Sequence, residues 1–98
     1  MNNNDAYQLN VFGQMLLPGK MSEHHFWLLA DISPVHSEKV INALKDFLVF
    51  GYTRRESCER HDVSPGYFSG ALKRFQRTHQ SISQIIPFYT SYNLYTEQ

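Results

Sequence analysis

Between Glu38 and about Phe50 the apolar residues Val40, Ile41, Leu44, Phe47 and Leu48 recur at helical spacing. Glu38, Lys39, Asn42, Lys45 and Asp46 fall on the other side. One greasy stripe and one wet face predict an amphipathic helix, with Ser37 before it and Gly51 after it as stop signal. Upstream, Leu16, Leu17, Pro18 and Gly19 read as an apolar pair and a turn. Ser22 caps a helix that runs to about Ala30, with Glu23 where the helix dipole favours an acid, and Ser33-Pro34 breaks it. Phe68, Leu72 and Phe75 mark the buried face of a last helix that starts at Pro65. The stripe extends through His79, Ile82 and Ile86, and Pro87 is expected to stop it. Residues 1–15 show little periodicity and read as a flexible arm, ordered at most near Leu9 to Phe12. Residues 88–98 read as an aromatic and polar tail. No strand pattern, internal repeat or domain boundary competes. The expectation is an all-α fold of four to five helices over residues 16–87.

Residues 53–77, TRRESCERHDVSPGYFSGALKRFQR, carry the most information. Thr53 and Glu56 form a capping box, which starts a helix over about Arg54 to His61. Ser64 followed by Pro65 is a second start, because the hydroxyl caps and proline's φ suits a first helical turn. Between them lies a tight turn at His61, Asp62 and Val63, with Val63 its buried apolar residue. The small Ser57 and Cys58 allow close helix approach. This is the grammar of a helix-turn-helix, whose second helix lies along a DNA groove. The turn position usually given to glycine falls on His61, which tolerates positive φ better than most residues. Tyr67, Ser69, Gly70, Lys73, Arg74 and Arg77 occupy the face of the second helix opposite the stripe, and no acid interrupts them.

A net charge of zero argues at first against a nucleic-acid partner, but its distribution answers that objection. Residues 1–50 hold three basic and five acidic side chains, residues 51–80 six basic and three acidic, and residues 81–98 only Glu97. Positive charge is thus concentrated in the proposed reading unit. A solvated face is the plain alternative for such a cluster, and the two caps and the buried stripe are what raise it above that.

With 98 residues the chain is one domain with a modest core. No apolar run suits a membrane helix, and no signal peptide is visible. The single cysteine, Cys58, excludes an intramolecular disulfide and fits a reducing cytosol. Of the five histidines, His24 and His25 point about 100° apart on a helix and cannot easily share an ion. No metal, cofactor, catalytic constellation or small-molecule substrate is evident, so an enzyme is not expected. Phe26, Trp27, Leu28 and Leu29 are consecutive and ring most of the first helix. Either a second subunit or the chain's own tails must cover them, and Phe26, Trp27 and Leu28 are the candidate homo-oligomer interface.

The segments LLPGKMSEHHFWLLADIS (16–33), VHSEKVINALKDFLVFG (35–51), RRESCE (54–59) and GYFSGALKRFQR (66–77) resemble the PapB-type fimbrial, or adhesin biosynthesis, transcription regulators of enteric bacteria. The resemblance implies a cytoplasmic regulator of fimbrial operons, nucleoid-associated when bound, which binds A·T-rich control regions as a homo-oligomer. Both grooves stay open: helix-turn-helix physics favours the major groove, while narrow A·T tracts attract arginine into the minor one. Carried onto this chain, Tyr67 and Ser69 meet base edges. Pro65 opens the reading helix, and Gly66 and Gly70 let its backbone come close. Lys73, Arg74 and Arg77, with Arg54 and Arg55, clamp phosphates. A rival from another class is a small all-helical protein-interaction adaptor that does not bind DNA.

Overall fold

In the computed structural model the described residues are 15–96, with side-chain surroundings described to residue 90. The structure of the arm, with its expected order near Leu9 to Phe12, lies outside them apart from Met15. Four helices follow in chain order: α1 (Glu23–Ile32), α2 (Glu38–Leu48), α3 (Arg54–His61) and α4 (Pro65–Thr96). The fold is all-α. The described chain falls into two compact units, Leu16–Thr78 and a second to which His79 onward belongs, a boundary with no mark in the sequence.

The first unit holds the core, in which Phe26, Leu29, Val40, Leu44, Leu48, Phe68 and Phe75 are almost wholly buried. Phe75 packs against Phe26 with ring centroids 5.3 Å apart, and Phe68 meets Phe47 edge-on at 5.7 Å. The first turns of α4 therefore dock on both α1 and α2. Each large buried side chain contributes roughly 1.5–3 kcal/mol of transfer free energy, which outweighs any single hydrogen bond in so small a unit.

The C-terminus of α2 shows how the loops are fixed. Its last carbonyls have no helical donors. Gly19 N–H donates to Phe47 O at 3.0 Å, Met21 N–H to Leu48 O at 3.1 Å and Tyr52 N–H to Asp46 O at 3.0 Å. Gly19 and Gly51 both have positive φ, +69° and +80°, and a Cβ on Gly19 would sit 3.1 Å from the Gly51 Cα. Glycine is required at this crossing by both backbone conformation and space. The LPGK turn is thus a cap that the helix borrows from 28 residues upstream of its own end (Gly19 N–H to Phe47 O).

Several expectations need correction. Asp46, assigned to the wet face of α2, is 5% exposed. The left-handed residue of the α3–α4 turn is Asp62, at φ 55° and ψ 50°, and His61 is the last residue of α3. The Asp62 and Val63 N–H groups both donate to the Cys58 carbonyl, which closes the helix one residue later than glycine-based reasoning suggests. Asp tolerates this conformation through its short polar side chain. α2 ends at Leu48 rather than Phe50, while α1 extends to Ile32.

Taken separately, the second unit is helical from His79. Pro87 does not stop α4, which continues to Thr96. Proline's φ lies in the helical range; what it removes is one donor, that to the Ser83 carbonyl. The Thr90 hydroxyl donates to the Ile86 carbonyl at 3.1 Å, and the Ser83 hydroxyl to the His79 carbonyl at 3.0 Å. The apolar stripe expected through Ile86 does not bury there: Ile85, Ile86, Phe88 and Tyr89 are all exposed.

Candidate nucleic-acid interface

The interface is built on two helix starts. At α3 the capping box is complete, with Glu56 N–H donating to Thr53 Oγ1 at 3.0 Å and Thr53 N–H to Glu56 Oε1 at 2.9 Å. At α4 the Ser64 hydroxyl accepts from Tyr67 N–H at 3.2 Å. Each cap is worth about 1 kcal/mol, and together they fix where both helices begin. The side chains in question then follow at helical intervals.

Pro65, Gly66, Lys73 and Arg77 are exposed; Ser69, Gly70 and Arg74 are half-buried; Tyr67 is 52% exposed. Tyr67, Gly70, Arg74 and Arg77 are spaced three, four and three apart, so they share one side of the helix. No Asp or Glu occurs between Asp62 and Glu97. The stripe of Phe68, Ala71, Leu72 and Phe75 is turned inward. The division of α4 into a docked side and an open cationic side is therefore as the sequence pattern requires.

Arg54 joins the two helices. Its guanidinium donates to Ser69 Oγ at 3.4 Å and lies 5.7 Å from the centre of the Phe47 ring. Arg55 is exposed but tied to Glu59 at 3.2 Å, one helical turn on. Such an exposed pair contributes little to stability and opens easily. Arg60, counted with the positive charge of this unit, is committed elsewhere: it donates to Asp46 Oδ2 at 2.8 Å and covers the Tyr52 ring at 4.4 Å. His61 Nε2 reaches the same oxygen at 2.7 Å. An ionised carboxylate only accepts, so Nε2 carries the proton. Burial pushes the Asp46 carboxyl up, but the hydrogen bonds and charges of Arg60 and His61 outweigh it and hold it below its ordinary 3.8. This knot between α2 and the end of α3 went unseen in the sequence because its members lie 14 and 15 residues apart.

Gly66 and Gly70 are not needed for backbone conformation. A Cβ on Gly66 would meet nothing within 4 Å, and one on Gly70 only the tip of Arg74 at 3.7 Å. They therefore make a clean probe. Gly70→Ala should raise stability by about 0.5–1 kcal/mol through helix propensity. If a ligand backbone approaches there, the same methyl should weaken duplex binding roughly fivefold, about 1 kcal/mol of lost contact. Urea titration and fluorescence anisotropy separate the two effects. Affinity unchanged beside raised stability removes Gly70 from the interface.

The candidate oligomer face is only partly as expected. Phe26 is wholly buried between Trp27 and Phe75, so it belongs to the core. Residues 26, 29 and 30 follow helical spacing inward, and 27 and 28 are left outside. Trp27 is 43% and Leu28 55% exposed, with Ile32 also open on the same helix. Lys45 Nζ lies 5.2 Å over the Trp27 ring and 5.6 Å from that of Phe50, which links an exposed ring of α1 to one just past the end of α2.

The PapB family, described as adhesin biosynthesis transcription regulatory protein, matches residues 1–89. The AFA-III adhesin operon regulatory protein of Escherichia coli is 67% identical over 75 residues, 76% of this chain and 74% of that protein. The PapB regulatory protein of the major pilus subunit operon, also from Escherichia coli, is 46% identical over 86 residues, 88% of this chain and 83% of that one. The crystal structure of Escherichia coli FocB superposes with a TM-score of 0.73 at 41% identity, and the match covers 88% of this chain and 98% of FocB.

Proposed function

The chain belongs to the PapB family of adhesin biosynthesis transcription regulatory proteins, which are regulators and not enzymes, and from that premise we propose that it regulates a fimbrial or adhesin operon by binding double-stranded DNA directly. α3 and α4 act as a helix-turn-helix, and the bound sites are A·T-rich. The observation that carries the reading is the open side of α4. Lys73, Arg74 and Arg77 stand there beside Tyr67 without an acid among them, and Arg54 joins them from α3 through Ser69. A polyanion is the partner that such a surface suits, since each neutralised phosphate releases condensed counterions. The protein acts in the cytoplasm, on the nucleoid when bound; among the described residues no helix is long and apolar enough to cross a membrane.

About four phosphate contacts per subunit bind weakly at physiological salt, so function calls for several subunits on one DNA. The exposed Trp27, Leu28 and Ile32 of α1 supply the self-association surface. Leu28→Glu tests it with little cost to the fold, because glutamate is a good helix former and Leu28 is outside the core. Sedimentation should show the assembly shift to a smaller species with the helical circular dichroism intact. An unchanged distribution would place the contact elsewhere. The DNA reading itself is tested by anisotropy on A·T-rich and G·C-rich duplexes across a salt series. It predicts binding at low salt, preference for the A·T-rich duplex and a steep fall with ionic strength. Absence of binding at low salt sinks it in favour of a protein-binding adaptor.

A further inference from the structure

A cleft of about 710 Å³ opens between α3 and the start of α4, lined by Arg54, Cys58, Val63, Pro65, Phe68 and Ser69 among others. Its volume is that of a site for a small organic ligand. Its floor is apolar: Cys58, Val63 and Phe68 are 5%, 5% and 1% exposed. Burial pushes the Cys58 thiol up from its ordinary 9.0, so the floor carries no thiolate at neutral pH. The rim is charged, and the charges are not equivalent. Arg55 is held by Glu59 at 3.2 Å, and Asp62 lies 4.0 Å from Lys39. Among the described residues Arg54 pairs with no carboxylate; its guanidinium has only the Ser69 hydroxyl at 3.4 Å and the Phe47 ring. The first turn of α4, at Pro65, adds the positive end of a long helix dipole.

We propose that this cleft is an effector site for a small organic monoanion with a compact apolar body, its anionic group on Arg54 and its body against Val63 and Pro65. Arg54, Pro65 and Ser69 belong both to the cleft and to the proposed DNA face, so an occupied cleft and a bound duplex exclude each other. The exclusion rests on the DNA-binding reading; the ligand site does not.

The test uses the full chain and 2-naphthoate as probe, with 2-naphthalenemethanol as its neutral counterpart. Titration without DNA, followed by amide chemical shifts, should saturate, with the largest changes at Cys58, Val63 and Phe68. The neutral analogue and Arg54→Gln should each weaken binding about tenfold or more, the size of one charged hydrogen bond. Lys20→Gln, which removes an exposed charge from the loop before α1 and outside the cleft, should leave it within about twofold. Shifts that do not saturate, that centre elsewhere, or that are equal for the neutral analogue overturn the site. In a second arm, naphthoate should displace an A·T-rich duplex, with a midpoint that rises in proportion to duplex concentration and extrapolates to that of the first. If the duplex stays bound at saturating naphthoate, the exclusion is overturned while the DNA reading stands. If no duplex binds even without naphthoate, the DNA reading fails, the exclusion falls with it, and the first arm alone decides the ligand site.

Discussion

Replacing Lys73, Arg74 and Arg77 together by alanine should weaken binding to A·T-rich duplex roughly a hundredfold near 0.1 M salt, taking about 1 kcal/mol for each screened phosphate contact. The slope of log affinity against log salt should fall by nearly three, at about 0.9 for each phosphate no longer neutralised. Both changes are expected without loss of fold. Lys73 and Arg77 are exposed and Arg74 is half-buried; none of the three is among the core residues, and alanine is the best helix former. The two readouts discriminate because a misfolded variant loses affinity at all salt concentrations, whereas loss of phosphate clamps changes the slope. Lys20→Ala is the matched control: it removes an exposed charge from the loop before α1 and should leave the slope unchanged. A triple variant that binds like the parent would mean that the protein holds DNA by another face and that the open side of α4 serves a different partner.

The same variant bears on specificity. Clamps of this kind fix register and supply affinity but read no sequence, so A·T preference should survive in the residual binding of the triple variant. Tyr67 and Ser69, closer to the N-terminus of α4, are the side chains proposed for base edges. Ser69 is half-buried and already accepts from Arg54, so its role at a base edge requires that hydrogen bond to open or to be shared. Ser69 also lines the proposed ligand cleft, and whatever holds Arg54 away from Ser69 changes what Ser69 can reach.

What could be read from the chain was local. The caps at Thr53 and Ser64 and the limits of α3 were legible because both partners of each interaction lie within three residues. The inward side of α4 was legible as far as Phe75 because its period is regular and its packing partners are large aromatic rings. Beyond Ser83 the period persists but burial does not, since an apolar repeat states only that a face could be covered. Phe26 was misplaced because four apolar residues in a row conceal the helical phase. Only the contact with Phe75, 49 residues away, shows which of them points inward. The candidate cationic residues were legible as charges but not as free or committed ones. Arg60 and Arg54 look alike in sequence, yet one is locked on a buried carboxylate and the other faces a cleft.

That lock is where the largest loss of stability is expected. Asp46→Ala should cost about 2–4 kcal/mol, lowering Tm by some 10–20 °C in a unit of this size. The value stays below that of a fully buried triad because Arg60 is 51% exposed and recovers solvation when its partner is gone. What remains is the loss of two hydrogen bonds of 2.8 and 2.7 Å, a vacancy beside α2, and the 23% exposed His61 left facing it. The pH dependence separates charge from packing. The carboxyl is held below 3.8 in the folded chain, so the unfolded chain binds the proton more tightly. The stabilisation from the Asp46 charge is therefore complete above about pH 5 and is lost as pH falls through 3.8 toward the lower folded value. Asp46→Asn keeps the shape and removes the titration. Its stability should be reduced at neutral pH and should approach that of the parent as the acid is added, while the parent alone shows the steep acid limb. Urea midpoints from pH 7 to pH 3 measure this. Parallel curves for parent and Asp46→Asn would mean that Arg60 and His61 add no charge stabilisation to the α2–α3 joint, and that the joint is held by the Phe47 and Leu48 packing and the Tyr52 N–H bond alone.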